Sequence, residues 1–135
     1  LEQGPCIAKR ITGCGSGFEY VAVTPEGDIY PCHQFVGMDG FKMGSVDEGI
    51  VRRDIAERFR GSSIYTKKEC MECWARFYCS GGCAANSFQF NGDINLPYKI
   101  GCQLEKKRIE CAIWARIKLQ ETEMPDNTNI KQEEN

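Results

Sequence analysis

The sequence predicts a small, metal-stabilised α+β fold: a β-hairpin, short helices and cluster-binding loops, ending in a longer C-terminal helix. Three observations carry this. The chain has 135 residues, enough for one domain with a modest core. Segments of β-rich character and turn signals precede segments of helical period. Eight of the nine cysteines fall into two blocks. The dense block is Cys70-x2-Cys73-x5-Cys79-x3-Cys83, followed by Cys102; upstream lie Cys6, Cys14 and Cys32.

Residues 1–17 carry Cys6 and Cys14 among Gly13, Gly15 and Gly17, which favours irregular backbone. Phe18 to Thr24 reads as a strand. Pro25-Glu26-Gly27-Asp28 reads as a turn, with Pro at its second position or just ahead of it. Ile29 to Cys32 returns, so a hairpin sets the reach between Cys14 and Cys32. A Gly-punctuated connection follows, with a short strand expected at Lys42–Val46. Apolar residues at 50, 51, 55, 56 and 59 give a helical period over Ile50–Arg60, with Gly61 as its stop. Its polar side is a solvated face. The Cys70–Cys83 block is too crowded for a long helix; one or two short turns between Lys67 and Phe77 and a Gly81-Gly82 loop are expected. Asn91-Gly92-Asp93 marks a turn. A last helix is expected over Ile100–Gln120, and residues 121–135 read as a polar tail or linker. The domain is therefore expected over residues 1–120.

Composition excludes several classes. The net charge is −2, from 17 basic and 19 acidic residues, so no global field draws the chain to nucleic acid or a membrane. No secretory signal and no apolar run long enough to span a bilayer is visible, and a cytoplasmic location is expected. The chain begins at Leu1, which suggests a piece of a longer protein. An odd cysteine count leaves one over from any full disulfide pairing. Cys-x2-Cys spacing without signs of export points to metal. His33 is the single histidine, so a two-Cys, two-His zinc site has no second imidazole. The sites are thiolate-dominated, which leaves iron–sulfur clusters or four-Cys zinc. Four thiolates per site is the requirement of a cubane cluster, and eight make two such sites.

The run Cys14-x12-Gly27-x4-Cys32, the dense block Cys70, Cys73, Cys79, Cys83 and the final Cys102 together resemble the SPASM domain. That is the auxiliary-cluster domain at the C-terminus of many radical S-adenosylmethionine (SAM) enzymes that modify peptides and proteins. The resemblance implies two [4Fe–4S] clusters. Auxiliary cluster II would be held by Cys70, Cys73, Cys79 and Cys102, and auxiliary cluster I by Cys14, Cys32 and Cys83. Cys6 stands where some members have the fourth ligand of cluster I and others leave an iron open to a substrate thiolate. The resemblance also implies electron transfer, since forming a carbon–sulfur bond from a substrate radical releases one electron that a nearby cluster accepts. The stretches Gly4-Pro5-Cys6, Gly13-Cys14-Gly15-Ser16-Gly17 and Pro31-Cys32-His33-Gln34-Phe35-Val36-Gly37 are similar to the maturases of six-cysteine (SCIFF) ribosomal peptides, which form thioether links; sulfatase-maturing members share the same thiol framework. The partners implied are an N-terminal radical SAM domain of the same parent chain and a Cys-containing precursor peptide. The Cys-x3-Cys-x2-Cys core that binds SAM is missing from this sequence. No catalytic residue is therefore assigned, and the chain is not expected to be catalytic alone.

Plainer readings stand beside these. Zinc in four-thiolate sites would make the chain a redox-inert interaction module, and a fragment prepared in air is open to zinc loading. Cys111 is expected to be a buried, inert helix thiol. His33 is expected at the surface or behind the ligands. Trp74, Phe77 and Tyr78 either shield a cluster or pack in the core. Lys106, Lys107 and Arg108 read as a solvated helix face, and Phe88, Phe90 and Tyr98 as packing residues.

Overall fold

The structure, a computed structural model, describes residues 6–123. Residues 1–5 and 124–135 lie outside the described residues, and most of the expected tail with them. Ten regular elements and one 3-10 turn follow in order: α1 (Ile7–Thr12), β1 (Ala22–Val23), β2 (Asp28–Tyr30), the 3-10 turn His33–Phe35, β3 (Gly44–Ser45), β4 (Gly49–Ile50), α2 (Arg53–Arg60), α3 (Lys68–Met71), α4 (Arg76–Cys79), α5 (Ala84–Asn91) and α6 (Lys99–Glu123). The α+β class is as the sequence predicts.

The hairpin is the centre of the fold. Gly27 donates its N–H to the Thr24 carbonyl at 2.9 Å, closing a turn with Pro25 at its second position. The φ of Gly27 is +88°, and a Cβ there would stand 2.8 Å from Val46 Cγ2. Only glycine fits. Ala22 pairs with Tyr30, and β2 then pairs with β3 through Asp28 and Ser45. The sheet is antiparallel in the order β1-β2-β3-β4. Gly44 and Ile50 are partners across β3 and β4, and a Cβ on Gly44 would lie 2.0 Å from the Gly49 carbonyl oxygen.

Beneath the sheet lies an aromatic core. Phe35 and Phe41 are 4.4 Å apart between ring centroids, and Phe59 meets Phe35 edge-on at 5.3 Å. Met43, Ile55, Ile94 and the side chain of Cys32 complete the cluster. Such close-packed aromatic contacts stabilise the hairpin and α2.

Three elements differ from the sequence expectation. Residues 7–12 are helical, where irregular backbone was expected; no glycine interrupts them before Gly13, which ends α1 by donating its N–H to the Lys9 carbonyl at 2.9 Å. Residues 49–50 pair as a strand, so α2 begins at Arg53. Gly61 still stops it, donating to the Glu57 carbonyl at 2.9 Å. Helix α5 has no counterpart in the sequence reading; the expected Asn91-Gly92-Asp93 turn is its C-terminal cap, with Gly92 at φ +73°.

Helix α6 leaves the body after Ile109, its last buried residue. Beyond it Ile113, Trp114, Ile117 and Leu119 are all exposed. Among the described residues no helix is long and apolar enough to cross a membrane.

Candidate metal centre

The first thiol set surrounds a cavity of about 80 Å³. Cys70 comes from α3, Cys73 from the turn after it, Cys79 from the end of α4 and Cys102 from the first turns of α6. All four line that cavity, with Glu69, Arg76, Glu105 and Lys106. Burial pushes the Cys70 thiol up in pKa, while the nearby Lys67 ammonium pulls it down. Burial also raises Cys79, as does the charge of Glu105; the backbone N–H groups of Gly82 and Gly81 bond to its sulfur and lower it. Cys102 is raised by burial and then by Cys79 and Cys73. Thiols held together in this way favour protons over charge until a cation neutralises them.

The chemistry of the donors fits an iron–sulfur group. They are uniformly soft thiols. The Nε–H of Arg76 is buried without a partner among the described residues, although its residue lines the same cavity. A buried donor without an acceptor is costly, and a sulfur-rich group seated in the cavity offers one. Among the described residues no three His, Cys, Asp or Glu side chains gather closely enough for a single metal ion. Four sulfurs on one zinc, at the usual Zn–S length, would stand only about 3.8 Å apart.

The second set lies across a reversal of the chain. Ser80, Gly81 and Gly82 have φ of +59°, +85° and +72°. Three successive residues at positive φ turn the backbone sharply, and the N–H groups of Gly81 and Gly82 face the Cys79 sulfur. Cys79 therefore faces one site, while Cys83, at the N-terminal end of α5, faces the other. Cys32 has Cys83 and Cys14 as its thiol neighbours; burial raises its pKa first, and the N–H groups of Gln34 and Phe35 at its sulfur oppose that. Gln34 Nε2 also donates to Cys83 Sγ at 3.6 Å. Cys14 is brought in by α1, whose end docks on this reversal. Ile64 donates its N–H to the Ile11 carbonyl at 3.1 Å, and the Cβ position of Gly13 lies 3.3 Å from Ser80 O. Cys6 stands at the other end of α1, exposed. Lys9 pairs with Glu19. Its pKa is raised first by that bond, and further by Cys6 and Cys14.

The remaining candidates separate clearly. None of the nine cysteines is in a disulfide. Cys111 is exposed, correcting the expectation of burial, because it sits on α6 beyond the point where the helix leaves the body. His33 is tied at Nδ1 to Tyr20 Oη, 3.1 Å away. Trp74, Phe77 and Tyr78 are 51%, 40% and 58% exposed, so they are not core residues. Phe88 packs against the core, and Phe90 stacks on Tyr98 at 4.1 Å. Lys107 pairs with Glu110 at 2.5 Å, a solvated pair, whereas Arg108 pairs with Glu105 and lines a larger cavity of about 360 Å³ beside Cys79, Cys83 and Cys102. Lys67, Arg76, Gln34 and Glu105 were not foreseen. A lysine or arginine near cysteines carries no spacing signal, since the default for either is the surface.

A small α+β scaffold with thiols gathered on both sides of a glycine-rich reversal is a cofactor-binding domain of the iron–sulfur class. The chain carries a SPASM domain: the profile of that family, described as an iron–sulfur cluster-binding domain, matches residues 14–74. Cys79, Cys83 and Cys102 lie beyond that match. An uncharacterised protein of Archaeoglobus fulgidus is 30% identical over 101 residues, covering 72% of this chain and 24% of its own length. A PqqA peptide cyclase of Xanthomonas euvesicatoria is 30% identical over 98 residues, 66% of this chain and 23% of its own. A PqqA peptide cyclase of Granulibacter bethesdensis is 28% identical over 97 residues, 66% of this chain and 25% of its own. The chain thus spans about a quarter of the length of the curated relatives it matches.

Proposed function

We propose that the chain is the auxiliary-cluster domain of a radical SAM peptide maturase, holding two [4Fe–4S] clusters. In this reading Cys70, Cys73, Cys79 and Cys102 hold cluster II; Cys14, Cys32 and Cys83 hold cluster I, with Cys6 as its fourth ligand. The observation that carries it is the cavity shared by the four cysteines of the first set, with the Ser80–Gly82 reversal sending Cys83 to the second set. Bound clusters would supply one-electron acceptance. The chain's own part is to space the thiols, exclude water from Cys70 and Cys32, which are buried, and aim N–H groups at sulfur. Such N–H groups raise cluster potential.

Two relatives named as peptide cyclases support a peptide as the substrate of the parent enzyme. The finer reading is a thioether cross-link in a Cys-containing ribosomal peptide, with a radical SAM domain supplied by the same parent chain in the cytoplasm.

Metal and sulfide analysis after anaerobic reconstitution, with electron paramagnetic resonance of the reduced protein, tests the proposal. About eight irons and eight sulfides per chain with two signals support it. Zinc without sulfide, in protein never exposed to air, overturns it in favour of a structural zinc module.

A further inference from the structure

Lys67 is an unusual residue for its type. It is 4% exposed, although lysine is almost never fully buried without a partner. Its Nζ donates to the Gly81 carbonyl at 2.9 Å. That is one of the three bonds an ammonium can make, and no carboxylate among the described residues pairs with it.

Its position explains what else it faces. Lys67 lies directly under the reversal: a Cβ on Gly81 would stand 3.5 Å from its Nζ. It lines a small cleft with Cys14, Ser80 and Gly82. Burial lowers its pKa on balance, and charge on Cys70, Cys79, Cys83 and Cys102 acts against that. Those four belong to both thiol sets. The side chain therefore stands between them, with its head under the loop that divides them.

We infer that Lys67 is a shared counter-ion, its buried ammonium set between the two cluster sites to favour their reduced, more negative states. The inference rests on the two-cluster reading above. An isolated buried ammonium is strongly disfavoured, whereas one flanked by two anionic groups is stabilised by both. By the same attraction it favours the state with one more electron on either side. It also holds the Gly81 carbonyl, so the reversal is braced by the same charge.

The test is an anaerobic redox titration of the reconstituted protein, followed by electron paramagnetic resonance. Lys67→Met keeps the length and removes the charge. The expected result is about a tenfold or greater fall in the reduction equilibrium constant of both clusters, a tenfold fall being 59 mV for one electron. Lys67→Arg keeps potentials near the parent values. The exposed, carboxylate-paired Lys107 is the control, and Lys107→Met is expected to change neither potential. Unchanged potentials in a fully loaded Lys67→Met variant overturn the inference, as does an equal shift in Lys107→Met. Should Lys67→Met fail to load iron, Lys67→Arg decides: full loading supports a role for the charge, and failure there too assigns the residue to packing alone. Absence of iron from the parent protein is a separate result, and overturns the two-cluster reading itself.

Discussion

Replacing Cys102 separates the two sites. It is the one candidate ligand of its set that comes from outside the segment 70–83, entering from α6. Cys102→Ala removes one of four thiolates from the cavity shared with Cys70, Cys73 and Cys79. Iron should fall from about eight to about four per chain, with sulfide in parallel. The other set is held on the far side of the reversal, where Cys32 has Cys83 and Cys14 as neighbours, so its resonance signal should persist. Helix α6 should stay docked through the Phe90–Tyr98 stack, worth about 0.5–1.5 kcal/mol, and through buried Ile109. Amide exchange should quicken around residues 100–106 and remain slow in the sheet. Full iron content in the variant would remove Cys102 from the ligand set. Loss of all iron with the sheet still folded would refute the division into two independent sites.

Cys111→Ala should leave iron content and stability unchanged within about 0.5 kcal/mol, because the thiol is exposed and belongs to neither set; alkylation of the loaded protein, mapped by mass spectrometry, should label Cys111 first. Phe35→Ala empties the centre of the aromatic core, where the side chain is 0% exposed, and should cost about 3–5 kcal/mol in a denaturant titration. Gly44→Ala places a Cβ 2.0 Å from the Gly49 carbonyl; parting β3 from β4 should cost at least about 2 kcal/mol, seen as a lowered melting temperature.

What the sequence made legible depended on how local the cause was. The turn was readable because Pro25, Glu26, Gly27 and Asp28 carry its signal in four consecutive residues, although the contact with Val46 that also demands glycine at 27 was not. The gathering of Cys70, Cys73, Cys79 and Cys102 at one cavity was legible through the resemblance of the cysteine pattern to the SPASM domain. Helix α1 was not: three glycines close behind it masked six residues of ordinary helix formers. Helix α5 was hidden because Asn86, Ser87 and Gln89 interrupt its apolar face, and Ala85 and Ser87 are what it buries. Cys111 shows the limit of periodicity. The sequence marks α6 as a helix but not what its sides meet, and past Ile109 the side chains of Ile113, Trp114, Ile117 and Leu119 are exposed. Lys67 was invisible for a related reason, since its burial is created by the Gly81 reversal folding back over it.

The fold divides its stabilisation between two sources. The segment 29–59 packs Phe35, Phe41, Met43, Ile55 and Phe59 in one core. The segment 66–83 has only Cys70 and Ala75 among its apolar side chains buried, while Met71, Trp74, Phe77 and Tyr78 are exposed. Ordering a backbone costs about 1–2 kcal/mol per residue, and burying one alanine and one cysteine offsets only a small part of that across the segment. In the proposed two-cluster protein metal binding would supply much of the remainder, which would make metal affinity folding energy. Removing iron and sulfide with a chelator under reducing, anaerobic conditions should therefore leave amides of β2 and α2 protected and expose those of 66–83 to fast exchange. A protected 66–83 segment in the metal-free protein would mean that packing alone orders the thiols, and the clusters would then be guests of a preformed site instead of part of its fold.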